Sequence, residues 1–199
     1  MKVECTDNKT FRLTDNENLL GELAYKNLLS YKAEITLTNS DHYDIKSVGF
    51  FGTSIAVTKN ETGIADLKMN WKGQIVMTFQ DGQEFVFKAK GVFHNKYVIE
   101  NKEEEELIRF DPKFNWGKFN YNYEISYDKK PQDILFVLLG VYAANYYIAQ
   151  LQGQYKLTAD KKAKQERTAH EGADKPNRIT ERTRVRRNER SIVALQPGL

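Results

Sequence analysis

PQDILFVLLGVYAANYYIAQL, residues 131–151, decides how this chain is read. From Ile134 to Leu151 no side chain is charged, and apolar or aromatic groups recur at nearly every angle around a helix, so no polar face survives. Pro131 suits a first turn, where its missing N–H has no acceptor to lose. Asp133 faces the positive end of the helix dipole, and Gly153 supplies a stop. Eighteen residues rising about 1.5 Å each make roughly 27 Å, which matches both a bilayer core and the width of a small domain. Length therefore does not choose between a membrane span and the centre of a fold, and the surroundings must.

Upstream of the helix, side chains alternate with period two in short runs separated by turn residues, the pattern of an antiparallel sheet with one buried face. The clearest run is KFNYNYEISYD, residues 118–128, in which Phe119, Tyr121, Tyr123, Ile125 and Tyr127 alternate with polar neighbours. Others centre on Ala33-Ile35-Leu37, Tyr43-Ile45, Ile55-Val57, Ile75-Met77-Phe79 and Phe85-Phe87-Ala89. The last two flank Asp81-Gly82, which predicts a tight hairpin. With further strands at residues 10–13, 63–69, 97–100 and 107–111, the chain holds roughly ten to twelve, on the spacing of a barrel or sandwich.

Three features favour burying the helix. It follows the strand at 118–128 by a few residues, so it can turn straight into a concave sheet. Asn145, Gln150, Tyr142, Tyr146 and Tyr147 carry polar groups that a barrel interior can satisfy and lipid cannot. A span would also force the body across the membrane if the basic segment after it stayed in the cytoplasm. The expectation is burial, with residues 134–151 as a transmembrane helix of an integral membrane protein kept as the alternative.

The order of these parts is carried by WKGQIVMTFQDGQEFVFKAKGVF (71–93), FNYNYEISYD (119–128) and PQDILFVLLGVYAANYY (131–147). In them the chain resembles the tubby C-terminal-like superfamily, which includes phospholipid scramblases and LURP-one-related proteins. The resemblance covers residues 1 to about 152. It implies a mainly β fold: a closed antiparallel barrel of about twelve strands around a buried hydrophobic C-terminal helix. The domains expected are a barrel over residues 1–153, with its central helix at about 131–152, and a basic mobile tail over 154–199. It also implies binding of phosphoinositide or other lipid headgroups, or calcium-linked scrambling, although no binding residue of that family carries over position by position.

Net charge is +3, but its distribution matters more than the sum. Residues 156–199 hold twelve Lys or Arg against six acids, which leaves the preceding body at −3. That segment has no aromatic residue and few apolar ones before Ile192, so it cannot bury enough surface to offset the entropy of ordering. Within it Arg178, Arg182, Arg184, Arg186, Arg187 and Arg190 form the candidate site for an anionic partner, since guanidinium groups pair with phosphates of lipid or nucleic acid. Glu181 and Glu189 dilute the cluster and no aromatic is interleaved for base stacking, which makes nucleic acid the weaker fit and a solubilising tail the plain alternative.

Other candidates carry less. Cys5 is the single cysteine, which excludes an internal disulfide and a multi-cysteine zinc site. No histidine adjoins it to make a nucleophile, so a buried thiol is expected. The first residues, MKVECTDNKTFRL, lack the apolar stretch of a secretory signal. A cytoplasmic setting follows, peripheral to the membrane if the partner is an anionic lipid surface, with a protein partner as the other choice. His42, His94 and His170 stand far apart with no further ligands in sequence, and no metal or cofactor is implied. Glu103 to Glu106 lack the spacing of a calcium loop and read as a solvated connection. Trp71 beside Lys72 fits either a headgroup surface or an aromatic at a strand end. No acid, base or nucleophile stands out, so the expected function is that of a non-enzymatic binding or interaction module.

Overall fold

The computed structural model describes residues 1–28, 30–48, 54–91 and 96–151. Its strands are β1 (Lys2–Cys5), β2 (Thr10–Asp15), β3 (Asn18–Asn27), β4 (Lys32–Leu37), β5 (His42–Val48) and β6 (Ser54–Lys59). They continue as β7 (Thr62–Met69), β8 (Ile75–Phe79), β9 (Glu84–Lys90), β10 (Lys96–Glu100), β11 (Glu106–Asn115) and β12 (Asn120–Ser126). Each pairs antiparallel with its neighbours in sequence, and β1 against β12 closes the barrel, with Val3 opposite Tyr123. Closure removes the exposed strand edges that an open sheet would leave.

The compact unit spans Met1–Ala149, and a second, Gln150–Leu199, begins in the last turn of the helix. The expected appendage at 154–199 and the Gly153 stop lie outside the described residues.

The helix α1 (Ile134–Leu151) lies inside the barrel. Every residue from 137 to 144 is buried, two full turns hidden on all sides, which requires walls all round. Phe136 meets Phe79 of β8 and Phe85 of β9, while Tyr142 stacks on Tyr25 of β3 with ring centroids 5.7 Å apart. Tyr147 meets Phe87 and Tyr97 on β9 and β10, and Asn145 accepts from the Tyr123 hydroxyl on β12 at 2.6 Å. Gly140 lets the helix approach β11: a Cβ there would fall 2.2 Å from Cζ of Phe110. The interior thus satisfies the Asn145 side-chain oxygen and also Tyr142, whose hydroxyl donates to the Tyr31 carbonyl at 2.9 Å. Of the polar groups that favoured burial in the sequence, the Asn145 carbonyl and the Tyr142 hydroxyl find partners on the barrel wall.

Because the strands form a simple meander, the connections alternate between two rims. The β1–β2, β3–β4, β5–β6, β7–β8, β9–β10 and β11–β12 connections share the lower rim. The others share the upper rim with Met1 and the β12–α1 connection, so the helix starts at the upper rim and runs down. Asx side chains close many of these turns by accepting backbone N–H groups, as Asp7, Asn39, Asn70, Asp81, Asn101 and Asn115 do.

Four details differ from the sequence expectation. The run at 118–128 becomes a strand only from Asn120 to Ser126, so Phe119, expected in the same row as Tyr123 and Ile125, lies in the β11–β12 turn at a positive φ and is exposed. Strands β1 and β3 were not expected: β1 is four residues long, and in β3 the inward row begins with Gly21 while the outward row includes Leu20 and Ala24, which blurs the alternation. Pro131 precedes the helix instead of opening it, because the Asp133 carboxylate accepts the N–H of Leu135 at 2.9 Å and caps the first turn. The Asp81-Gly82 hairpin forms as expected, but only Gly82 takes a positive φ, +83°. Among the described residues, the two-residue turns with both φ positive are Asn16-Glu17 and Asn60-Glu61.

Candidate functional site

Arg178, Arg182, Arg184, Arg186, Arg187 and Arg190 lie outside the described residues, as do His94 and His170. The described residues of the barrel offer an interior, clefts, an outer wall and two rims.

The interior is taken by α1. Around Asn145, burial pushes the phenols of Tyr25, Tyr123 and Tyr142 well above their ordinary range, and that of Tyr97 up to about 12, so all remain neutral hydroxyls. Among the described residues, the buried Tyr25 hydroxyl and the Asn145 amide nitrogen make no hydrogen bond of good geometry, although the Asn145 side chain acts on the Tyr25 phenol. Cys5 is buried, its thiol donates to the Asp7 carbonyl at 3.1 Å, and burial together with the Asp7 charge raises its pKa to about 11. That is the reverse of an activated thiolate, in keeping with the expected buried thiol.

Among the described residues, two clefts open at the upper rim. One, of about 660 Å³, lies between Phe85, Leu107, Ile108 and Phe136 and the chain from Asp128 to Asp133. The other, of about 740 Å³, is lined by Glu4, Asp15, Glu17, Asp111 and Glu124 with Lys2 and the amino terminus. The second is a poor receptor for an anion on charge alone.

On the outer wall the structure brings together residues that sequence spacing kept apart. Glu34, His42 and Asp44 aim ligand atoms within 4.8 Å of one another across β4 and β5. Cross-strand register makes this cluster, since Glu34 faces Asp44 and Thr36 faces His42. A cation is already there: Lys26 Nζ stands 2.6 Å from Glu34 and 3.4 Å from Asp44, and the bond to Glu34 raises the ammonium pKa. Across the barrel, Glu100 is 5% exposed and held by Lys88 at 2.5 Å, and Glu106 is held by Lys90 at 2.7 Å and Arg109 at 2.6 Å. The acidic run therefore splits: Glu103 to Glu105 are exposed in the β10–β11 connection as expected, while Glu106 opens β11 inside an ion-pair cluster.

The rims differ most. Upper-rim connections carry nine carboxylates and three lysines among the described residues. Described lower-rim connections carry Lys9, Lys72 and Lys118 against Asp7 alone. Six of the seven large apolar side chains exposed among the described residues sit at or beside the lower rim: Leu28, Val48, Trp71, Phe114, Trp116 and Phe119. Trp71 is 90% exposed, Trp116 77% and Phe119 81%. Comparison with protein-family models, with curated proteins and with solved structures returns no match.

Proposed function

We propose that the protein is a non-enzymatic binding module of the tubby C-terminal-like kind, cytoplasmic and peripheral, which recognises an anionic lipid surface. The observation that carries this reading is the charge polarity of the barrel: acidic connections crowd one rim and lysines predominate at the other. An anionic plane repels the first and attracts the second, which orients the molecule before any specific contact forms. The basic excess of residues 156–199 adds to the same attraction. With the helix filling the interior, a binding role falls to the surface. The transmembrane alternative for residues 134–151 would require drawing that helix out of its walls.

The test is sedimentation of the full chain with phosphatidylcholine vesicles and with phosphatidylcholine–phosphatidylserine vesicles, at low and high salt. Binding is expected only with the anionic vesicles and should fall as salt rises. Each basic side chain near such a surface contributes about 1 kcal/mol. Replacing the six arginines between Arg178 and Arg190 with glutamine should therefore weaken binding at least tenfold. Equal recovery on neutral and anionic vesicles would overturn the proposal.

A further inference from the structure

We infer that the lower rim is the face that enters the lipid interface, with Trp71, Trp116 and Phe119 as the inserting side chains. The inference rests on the lipid-surface reading above and names the part of the molecule that makes the contact.

The first support is a repeated turn. The β7–β8 connection opens Asn70-Trp71-Lys72-Gly73, and the β11–β12 connection opens Asn115-Trp116-Gly117-Lys118. In the first, the Asn70 side chain accepts the N–H groups of Lys72 and Gln74 at 3.0 Å each, while the Gly73 N–H donates to the Asn70 carbonyl at 3.0 Å. In the second, the Asn115 side chain accepts the N–H of Gly117 at 3.1 Å, and the Lys118 N–H donates to the Asn115 carbonyl at 3.2 Å. Each asparagine closes its turn and the next residue, a tryptophan, is left outside it. Phe119 follows at φ 49°, a left-handed conformation that disfavours a bulky side chain. These aromatics are held in water by built turns.

The second support is placement. Four strands, β8 to β11, separate the two turns around the rim, which is on the order of 20 Å at the usual strand spacing. Anchors of a protein interface cluster at the centre of one patch. Aromatic side chains spread along a rim suit a plane, and a bilayer interface is the plane in which tryptophan is enriched.

The third is a lysine in each of the two turns. Lys72 Nζ lies 5.4 Å from the centre of the Trp71 ring, and Lys118 sits between Trp116 and Phe119 in the chain. An ammonium on a long apolar stem can reach headgroup phosphates while the neighbouring ring sits deeper.

Trp71 and Trp116 are the protein's two tryptophans, so its intrinsic fluorescence reports on this rim. Titration of the full chain with phosphatidylcholine–phosphatidylserine vesicles should shift emission to shorter wavelength, and brominated acyl chains should quench it. Trp71→Ser and Trp116→Ser each leave one reporter, and both should show the shift. The double variant, followed by sedimentation, should bind at least tenfold more weakly while still melting cooperatively within about 4 °C of the parent. Sedimentation with unshifted, unquenched emission and an unimpaired double variant would overturn the inference and leave the anionic-surface reading standing. Absence of any sedimentation would overturn both. An emission shift that appears without lipid as protein concentration rises would assign the rim to a second copy and likewise overturn the inference.

Discussion

Phe110 and Trp116 stand six residues apart in one hairpin, yet the barrel treats them in opposite ways. Phe110 points inward from β11, fully buried against Gly140 of the helix, while Trp116 projects into water from the turn that ends the same strand. The contrast extends to whole sets: Tyr123, Tyr142 and Phe87 inside, Trp71 and Phe119 at the lower rim. Burial contributes roughly 25 cal/mol per Å² removed from water, so the inner set holds the fold together and the rim set adds little to it. Parity of the strand decides the first placement, and an asparagine-closed turn decides the second. Hydrophobicity by itself decides neither.

The sharpest way to break this division is to attack the inner set. Val141 lies fully buried in the middle of the helix, and Val141→Asp would place an unpaired charge there at a cost of several kcal/mol, comparable with the 5–15 kcal/mol that holds a typical domain together. Loss of a cooperative melting transition in circular dichroism is expected. A soluble, cooperatively folded variant would end the enclosed-helix description.

Gly140→Ala is the next step down. Alanine gains about 1 kcal/mol in helix propensity over glycine, but the added methyl would overlap Phe110 and crowd Ile99, both fully buried. Overpacking typically costs about 1–3 kcal/mol, and an approach of 2.2 Å to a buried ring puts this case at the upper end, so the net effect should be destabilising by about 2 kcal/mol. For a domain of this size that is a fall of roughly 4–8 °C in melting temperature. An unchanged or higher melting temperature would mean the wall near Gly140 yields easily.

Much of this arrangement was legible in the sequence. The helix at 134–151 was visible from its lack of charge, and most strands from alternation, because a pleat with one face on a packed core imposes period two. Strands β1 and β3 escaped because one is too short to show a period and the other carries Gly21 in its inward row. The Glu34–His42–Asp44 cluster with Lys26 was hidden because cross-strand register, which sequence spacing does not reveal, brings it together. The shared rim of Trp71 and Trp116 was within reach: the strands seen at 75–79, 85–89, 97–100 and 107–111 are even in number, and an even number of meander strands returns the chain to the same side. The arginine candidates at 178–190 fall outside the described residues, so they stand on composition alone.

Between the enclosed and the exposed sets lies the ion-pair cluster of Glu106, where the effect of a change should be moderate and tied to pH. Partial burial pushes its carboxyl up, but hydrogen bonds from Lys90 and Arg109 outweigh that and hold it below the ordinary glutamate range. A carboxyl depressed in the folded state stabilises the fold above its unfolded pKa and loses that contribution as pH falls through the folded value. Melting temperatures of the parent should therefore drop as pH is taken from about 5 down to about 3. Glu106→Gln should lower stability at neutral pH and flatten part of that slope. Only part is expected to go, because Asp7, Asp15 and Asp41 are depressed in the same direction, Asp7 chiefly by a backbone hydrogen bond and the other two chiefly by lysine hydrogen bonds. An identical slope in the variant would remove Glu106 from the acid response.

The smallest effect is expected where the exposed set is tested for structural value, in melts without lipid. Among the described residues, Trp71 has Lys72 over its ring, and a substitution so exposed usually changes stability by less than about 0.5 kcal/mol. Trp116 also makes an edge-to-face contact with Phe114, at 4.8 Å between ring centres. Such a pair is worth about 0.5–1.5 kcal/mol; with both rings reaching solvent, the lower figure applies. Trp116→Ser should thus cost slightly more than Trp71→Ser, and neither should move the melting temperature by more than about 2 °C. A loss of about 2 kcal/mol from either would make that ring part of the scaffold, since it would show burial energy where the exposed area leaves little to recover.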